Sequence, residues 1–414
     1  MRKTIYLLFI ILALNGCKIA KKNINIITDQ ITLYEFANYF NSKNRDLKVT
    51  VDYFDNKNIS ITGEGSNIFK YVKDNKLNNY DLIIGEKKDA IINKNEFSKI
   101  TKHSKILKNK KEKDKLYPVI LNYLDNNNEL ETLYSIDFPV IVARKDSLSE
   151  NLINENIMDI DTFCETAKSV NQYKQNTQYN DNRIGFSPLI SELSEIDYYF
   201  IFNSQLEKTK NNYSFNTADT QRAYNFYQGF DDKFNFGTDT TKKYIKLFSN
   251  INKNFYLKEK IISFDFINIS NAPNYSDDSY KIFLIKNLKK ISLKNIIIAI
   301  PKTSINKREA GSFIDFLYEY EPQKKLQDEI IKKDDFYSTL HIPPIKNVIK
   351  DVKGIDIPFD ILNNYIENLE SPNFYNKNIY KLFFEKYYST KEMVNNGLIS
   401  EKDFLEYFSK ELNK

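Results

Sequence analysis

The sequence has few of the residues that build metal centres and disulfide scaffolds. Its 414 residues include two cysteines, Cys17 and Cys164, and two histidines, His103 and His341, which lie far apart. Two cysteines cannot form the several disulfides on which small secreted scaffolds depend. Zinc sites commonly use three or four cysteine, histidine or carboxylate ligands, so we expect no transition-metal site and no cofactor.

The motifs of common enzyme classes are also missing. The sequence has no Gly-x-Ser-x-Gly, His-Glu-x-x-His, phosphate-binding-loop or Cys-x-x-Cys motif. Cys164 follows Phe163 in a predicted helix with no base beside it, which is typical of a small half-buried apolar residue. We therefore expect that the protein is not an enzyme. One alternative stays open, because a sequence cannot give the distance between the two carboxylates of a glycosidase-like pair.

Basic residues only slightly outnumber acidic ones. The 60 basic and 55 acidic residues give a formal net charge of +5, and they are spread along the chain. The densest basic stretch, residues 102–115, is interrupted by Glu112 and Asp114 and is typical of a solvated surface. A nucleic-acid-binding protein concentrates its lysine and arginine on one face, so we expect no nucleic-acid partner.

The longest apolar run lies near the first residue. It extends from Ile5 to Leu14, follows Arg2 and Lys3, and is closed by Leu14-Asn15-Gly16-Cys17. Its ten residues are too few for a helix to span a bilayer, so the pattern predicts a secretory signal. The alternative at this stage is an ordinary secretory signal in which the cysteine occurs by chance.

The end of that run resembles a bacterial lipobox, with leucine three residues before the cysteine and a small residue directly before it. The resemblance implies a lipoprotein signal peptide over residues 1–16, lipidation of Cys17 and a tether over residues 17–22. Two or more acyl chains hold a soluble domain at a membrane stably, at about 0.8 kcal/mol per buried CH₂. We expect a lipid anchor on the extracytoplasmic face of the cell membrane. Cys164 would then be left single, without a disulfide.

The next part of the sequence predicts alternating strands and helices. Residues 23–27 predict a strand, and Thr32 with Glu35 has the form of a capping box for a following helix. Four apolar residues recur at helical spacing in that helix, and four alternate with polar residues in the strand after it. Residues 81–85 predict a further strand. This order is typical of a parallel α/β layer. The residues at helical spacing are Leu33, Phe36, Ala37 and Phe40, and the alternating ones are Leu47, Val49, Val51 and Tyr53.

A second set of elements follows. Residues 138–143 predict a buried strand, and residues 296–300 predict another. Asp161 is expected to cap a helix that places Phe163, Ala167 and Val170 inward. A helix is expected from Glu309. The last sixty or so residues predict amphipathic helices, with Gly397 ending one of them.

In their order, these blocks resemble the maltose-binding-like group of extracellular solute-binding proteins (family 1). The resemblance extends over nearly the whole chain after the signal and is carried by block order and spacing. Its principal segments are residues 80–84, 133–146, 161–168, 298–304 and 343–346. It implies an α/β protein of two lobes, of the periplasmic-binding-protein type, with three interlobe crossings and a helical C-terminal part. Lobe one would comprise 23–138 with 299–340, and lobe two 139–298 with 341–414.

The resemblance also implies a ligand between the lobes, held by hinge closure. Asp137 matches a position in the first crossing where the family often places a ligand-contacting acid. The other expected ligand-binding residues are Asp29, Ser66, Tyr198, Asp265 and Asn268. A hinge hydrogen bond is the alternative role for Asp137, a helix-starting turn is the alternative for Ser66, and core packing is the alternative for Tyr198.

The expected function is that of a lipid-anchored monomer that delivers a small solute to the permease subunits of an ABC importer. A carbohydrate or related polyol is favoured. Sugar binders of the family usually stack their ligand on tryptophan, which this sequence lacks, so a polyamine, a phosphorylated polyol or a short peptide stays open. The functional alternative is a surface lipoprotein that uses the same fold for adhesion or signalling.

Overall fold

The structure is a computed structural model. It describes residues 22–54, 68–75, 77–87, 92, 94–170, 185–186, 191, 193, 195–202, 207–208, 213–214, 218–233, 257–260, 262–291, 295–332, 341–348, 356–371, 377–400 and 403–413.

The described residues form a mixed α/β protein with two main sheets. The strands are β1 Lys22–Thr28, β2 Leu47–Tyr53, β3 Leu82–Glu86, β4 Phe97–Ser98, β5 Glu131–Leu133, β6 Pro139–Arg144, β7 Ile157–Met158, β8 Glu207–Lys208, β9 Tyr213–Ser214, β10 Phe264–Asn268, β11 Tyr280–Ile285 and β12 Ile296–Pro301. The helices are α1 Leu33–Lys43, α2 Ile68–Asn75, α3 Lys110–Lys113, α4 Pro118–Asn126, α5 Glu150–Ile153, α6 Ile160–Val170, α7 Glu195–Ile201, α8 Ala218–Lys233, α9 Lys307–Leu317, α10 Tyr320–Lys332, α11 Phe359–Glu367, α12 Lys377–Asn395 and α13 Phe404–Glu411. Short 3₁₀ helices lie at Leu77–Asn79, Ile100–Lys102, Lys145–Ser147 and Ile269–Tyr275.

The first sheet has the strand order β2-β1-β3-β12-β4, and β5 also pairs with β12. Strands β1, β2 and β3 are parallel, while β12 is antiparallel to β3 and to β5. Because β12 reverses direction between β3 and β5, strand β5 runs in the same direction as β1. The carboxyl ends of β1, β2, β3 and β5 therefore lie at one edge of this sheet.

The second sheet has the order β10-β6-β11-β7. Strand β6 is antiparallel to both β10 and β11, and β7 is parallel to β11. The carboxyl ends of β7, β10 and β11 therefore share one edge with the amino end of β6. This sheet draws its strands from residues 139–285, and the first sheet draws its strands from 22–133 and 296–301. The two-lobe α/β fold class is confirmed, although the exact lobe boundaries stay a prediction. The boundary expected at 298/299 falls inside β12.

Several local predictions are confirmed. Helix α1 buries the four apolar residues identified by their spacing. Phe163 and Ala167 are buried in α6, where Val170 is only partly buried. Gly397 follows α12 with φ +70°, in the left-handed region that glycine adopts readily. Strand β2 differs from the prediction. Val49 is buried, but the other three of its alternating residues are not. This strand is at the edge of the sheet, so its other side chains have neighbours on one side only.

Two cap predictions are wrong. The Thr32 side chain makes no capping hydrogen bond, and its Oγ1 lies 3.0 Å from the Tyr134 hydroxyl. Helix α6 is capped by Asp159, whose Oδ1 accepts a hydrogen bond of 2.7 Å from the Thr162 N–H, and Asp161 lies within the first turn. This hydrogen bond is the largest cause of the lowered pKa of Asp159. The Thr32 side chain contacts Tyr134 instead of capping its helix, and the residue that caps α6 lies two positions before Asp161.

Candidate functional site

The first crossing joins the carboxyl edges of the two sheets. Residues 134–138 leave the first sheet at the carboxyl end of β5 and enter the second at the amino end of β6. An extended chain from Leu133 to Pro139 spans at most about 22 Å. The two carboxyl edges therefore approach within that distance beside the crossing. Ligands of open α/β sheets bind outside the carboxyl ends of strands, so this is the candidate site.

The other two connections run beside the first. The second leaves the carboxyl end of β11 and enters β12 at Ile296, whose carbonyl accepts a 2.9 Å hydrogen bond from the Tyr134 N–H. The third contains residues 341–345, where the Ile342 carbonyl accepts a 3.0 Å hydrogen bond from the Ile136 N–H. His341 is buried against Tyr134, and burial lowers its pKa to about 3, so its imidazole is neutral at neutral pH. Three hydrogen-bonded segments thus form the hinge.

Asp29 lies on the first-sheet side of the candidate site, directly after β1. It is partly exposed, its Oδ2 accepts a 3.0 Å hydrogen bond from the Glu86 N–H, and its Oδ1 accepts one of 2.7 Å from Gln30 Nε2. A Cβ added at Gly85 would lie 3.0 Å from both carboxylate oxygens and 2.6 Å from Ile68 Cγ2. The glycine is therefore needed for the close approach of the Asp29 carboxylate to β3. The sequence indicated Asp29 but not Gln30 or Glu86, although Glu86 directly follows the strand predicted at 81–85.

Asn268 and Asp137 lie on the second-sheet side of the candidate site. Asn268 is the last residue of β10 and pairs with Pro139, at the start of β6. Its Oδ1 is buried and accepts no hydrogen bond from the part of the chain that the structure describes. A buried amide oxygen without a donor is costly unless a water or a ligand supplies one. At the carboxyl edge of the second sheet, the surroundings of Asn268 thus call for an additional donor.

The Asp137 carboxylate is engaged within the hinge. Its Oδ1 accepts 3.1 Å hydrogen bonds from the N–H groups of Phe138 and Ser270, and its Oδ2 accepts one of 2.8 Å from Ser270 Oγ. Ser270 lies in the 3₁₀ helix that follows β10. Asp137 therefore ties the first crossing to the carboxyl edge of the second sheet. This geometry favours the hinge role over a direct ligand contact.

Replacing Asp137 by Ala should lower the free energy of unfolding by about 2–4 kcal/mol, because the Ser270 N–H and hydroxyl lose their acceptor in a buried setting. The apo melting temperature in thermal denaturation measures this loss. Ser270→Ala removes one of the three hydrogen bonds and should cost only about 1 kcal/mol. An unchanged apo melting temperature in Asp137→Ala, together with lost ligand affinity, would instead establish a ligand contact.

Tyr198 and Asp265 lie in the core of the second lobe. The Tyr198 ring is 1% exposed and packs between Phe186 and Phe266. Asp265 is fully buried, and its Oδ1 accepts hydrogen bonds from Ser191 Oγ at 2.5 Å and from the Phe266 N–H at 2.8 Å. Both placements favour a structural role. Neither side chain lies at the carboxyl edge of the second sheet, where the Asn268 amide oxygen can accept a hydrogen bond.

Two predicted residues, Ser66 and Cys17, lie outside the described residues, so their roles stay predictions. Cys164 is partly buried, and burial raises the pKa of its thiol to about 11. The protonated thiol is a poor nucleophile at neutral pH. Among the residues the structure describes, no group of three or more His, Cys, Asp or Glu is placed to hold a metal ion. Within the same part of the chain, no helix has the length and apolarity needed to cross a membrane.

Sequence comparison identifies no relatives. No protein-family model matches the chain. No curated protein matches it either. Solved structures do match, over almost their whole length. The sugar-binding protein MalE of the phytopathogen Xanthomonas citri has a TM-score of 0.62 at 13% identity, covering 95% of this chain and 96% of its own. The chain has the fold of the maltose-binding-like solute-binding proteins.

Two further structures support the same fold. An ABC transporter solute-binding protein of Thermotoga lettingae, bound with α-D-tagatose, has a TM-score of 0.62 at 15% identity, over 95% of this chain and 99% of its own. MalX of Streptococcus pneumoniae, in complex with maltopentaose, has a TM-score of 0.59 at 14% identity, over 94% and 99%. Two of the three are named as sugar- or solute-binding proteins, and the third holds maltopentaose. Identities this low establish the fold alone, because one fold can host several functions.

Proposed function

We propose that the protein is a lipid-anchored extracytoplasmic receptor that captures a small solute, preferably a carbohydrate or related polyol, and delivers it to an ABC importer. The proposal rests mainly on one observation: the carboxyl edges of the two sheets lie close together beside the three crossings. The match in length supports it, since the chain covers 96–99% of the three solute-binding structures compared above.

The side chains at the two edges suit a ligand with hydroxyl groups. Asp29 offers a partly exposed carboxylate that accepts hydrogen bonds, and Asn268 offers an amide oxygen that has no donor among the described residues. A sugar hydroxyl can donate to either acceptor. Charge-assisted hydrogen bonds to a carboxylate are stronger than neutral ones, so Asp29 would contribute the larger share of the affinity. A polyamine would also be attracted by Asp29, which makes it the second ligand class to test.

Capture would proceed by closure of the hinge. Asp29 lies on the first-sheet edge and Asn268 on the second, so a ligand that contacts both is bound more tightly when the edges approach. A ligand shifts such an equilibrium only by its difference in affinity for the open and closed states. The hydrogen bonds of Asp137 to Ser270 would keep the first crossing fixed to the second sheet while the lobes move.

The anchor would place this receptor at the membrane. The apolar run to Leu14 and the Leu14-Asn15-Gly16-Cys17 sequence support export, removal of residues 1–16 and lipidation of Cys17. We propose that the protein acts there as a monomer that presents its ligand-bound form to two permease subunits. A receptor tethered in this way stays at the importer instead of diffusing away.

A ligand screen tests the function. The soluble chain from residue 18 is screened by thermal denaturation with mono- and oligosaccharides, polyols, polyamines and short peptides, since a ligand of the folded state raises the melting temperature. We expect a saccharide or polyol to raise it. Failure of every class would contradict the receptor proposal. A ligand that binds but is not imported by cells in a manner dependent on this protein would favour adhesion or signalling.

Calorimetric titration of that ligand then locates the site. Asp29→Ala should weaken binding about 10- to 150-fold, which corresponds to the 1.5–3 kcal/mol of a hydrogen bond to a charged group. Asn268→Ala should weaken binding less, by the contribution of a neutral hydrogen bond. The control is Asp360→Ala, an exposed acid in the first turn of α11, which should keep full affinity. Unchanged affinity in both edge variants would place the ligand elsewhere.

A further inference from the structure

The amino edge of the first sheet carries an exposed apolar side chain on a fixed loop. Strand β12 ends at Pro301, at the edge where β1 begins, and residues 302–306 form a loop that we call the Ile305 loop. Ile305 is 93% exposed, the largest value among the exposed large hydrophobic residues of the described chain. Burying this side chain against another molecule would be favourable, and no element of the described chain covers it.

The Ile305 loop is fastened on both sides of Ile305. Ser304 is buried, and its Oγ donates a 2.7 Å hydrogen bond to Asp81 Oδ1. Asn306 Nδ2 donates to the Asn23 carbonyl at 3.0 Å and to Asp81 Oδ2 at 3.3 Å. The exposed isoleucine is therefore held in place by its neighbours. The contact with Asn23 also fixes the loop beside the first residues of β1.

Basic residues surround the Ile305 loop. Lys302 and Arg308 are exposed, and Lys307 is partly exposed. Lys102 is exposed and lies beside α9, because the carbonyl oxygen of the neighbouring His103 would be only 2.2 Å from a Cβ added at Gly311. Two acids lie at this edge: Glu309 pairs with Lys22 at 2.5 Å, and Asp81 is buried beneath the loop. The four other cations leave this surface positive around Ile305.

The distance to the proposed anchor is short. Lys22, the first residue of β1, lies five positions after Cys17, so an extended chain between them reaches at most about 18 Å. Lys22 pairs with Glu309 of α9, the helix that directly follows the Ile305 loop. An acyl chain on Cys17 would thus hold the amino edge of the first sheet within that distance of the lipid headgroups.

We propose that the Ile305 loop rests on the membrane leaflet that holds the lipid on Cys17. The Ile305 side chain enters the headgroup region, and Lys102, Lys302, Lys307 and Arg308 lie against anionic headgroups. The inference rests on the lipid anchor of the proposed function. The ligand-binding edge, with Asp29, is the opposite edge of the same sheet, so this contact leaves the candidate site open to solute.

Fluorescence of the lipidated full chain in vesicles tests the contact. Ile305→Cys and Leu398→Cys are each made in a Cys164→Ser background and labelled with an environment-sensitive dye. Leu398 is the matched control, because it is an exposed apolar residue, 68% exposed, just after α12. The vesicles contain phosphatidylcholine with about a third of phosphatidylglycerol, a fraction chosen to give the anionic surface that attracts basic segments.

The label at 305 should emit at shorter wavelength in vesicles than in detergent-free buffer. It should also be quenched roughly twofold by nitroxide on the upper acyl chain, the depth that an interfacial apolar side chain reaches. The label at 398 should change in neither respect. Adding Lys302→Glu and Arg308→Glu should reduce the response at 305 in anionic vesicles and have a smaller effect in neutral ones, because those two charges act through anionic lipid.

Flotation of the vesicles separates the two proposals. The chain with Cys17 should float with the vesicles, and Cys17→Ser should stay in the dense fraction. If the protein with Cys17 does not float, the lipid anchor and the membrane contact are both wrong. If it floats while the label at 305 keeps its aqueous spectrum, or if 305 and 398 respond alike, the membrane contact alone is overturned.

Discussion

Replacing Ile298 by Asp should abolish the cooperative thermal unfolding of the protein, whereas the same change at Ile305 should leave the melting temperature nearly unchanged. Ile298 is fully buried in β12, where it pairs with Ile84 of β3 and with Thr132 of β5. The change leaves an unpaired carboxylate in the interior, which costs several kcal/mol, and removes an apolar side chain worth about 2–5 kcal/mol. The sum is comparable to the whole stability of a domain, about 5–15 kcal/mol.

Circular dichroism during heating measures both variants. The pair is matched, because the residue type and the substitution are identical and the two positions lie seven residues apart. Ile305 is 93% exposed, so a carboxylate there stays hydrated. A sharp transition near the wild-type temperature in Ile298→Asp would mean that β12 is not the central strand that joins β3 to β5.

Replacing Lys87 by Met should lower the free energy of unfolding by about 3–5 kcal/mol, because it leaves the carboxylate of Glu131 buried without its cation. Lys87 follows β3 directly and forms an ion pair with Glu131, which is fully buried in β5. Its Nζ also lies 3.3 Å from Asn127 Oδ1, and Tyr123 donates to Glu131 at 3.5 Å. The pair therefore ties Lys87, at the carboxyl edge of the first sheet, to β5.

Urea denaturation of three variants gives the measurement. Lys99→Met is the matched control, because Lys99 pairs with Glu129 at 2.7 Å with side chains 48% and 33% exposed, and such surface pairs contribute less than about 1 kcal/mol. The double change Lys87→Met with Glu131→Leu should recover most of the loss, since it removes both charges. Equal losses in Lys87→Met and Lys99→Met would contradict the buried-pair interpretation.

The spacing of apolar residues along the chain was sufficient to predict most helices and strands of the fold. The spacing of Leu33, Phe36, Ala37 and Phe40 predicted the buried face of α1, and the apolar runs at 81–85, 138–143 and 296–300 predicted three strands that the structure contains. These predictions succeeded because a helix or strand that packs on a core must place its apolar residues at its own period. The order of blocks was then enough for the two-lobe fold class.

Contacts between distant residues decided the site. Asp137 and Asn268 each looked suitable for a ligand in the sequence. Only the fold shows that the acceptors of Asp137 are engaged by Phe138 and Ser270, while Asn268 Oδ1 has no donor from the described residues. Tyr198 likewise has an aromatic ring that could stack on a sugar, but in the fold this ring packs in the core beside Phe186.

By itself, the sequence determined the alternation of helices and strands and the apolar faces, because each depends on residues that are neighbours along the chain. The tertiary structure decided which polar groups remain available at the carboxyl edges, that Gly85 admits the carboxylate of Asp29, and that Ile305 stands exposed beside the start of β1. A hydrogen bond such as Asp137 to Ser270 joins residues 133 positions apart. No local period encodes such a pairing, which exists only once the crossings bring the two sheets together.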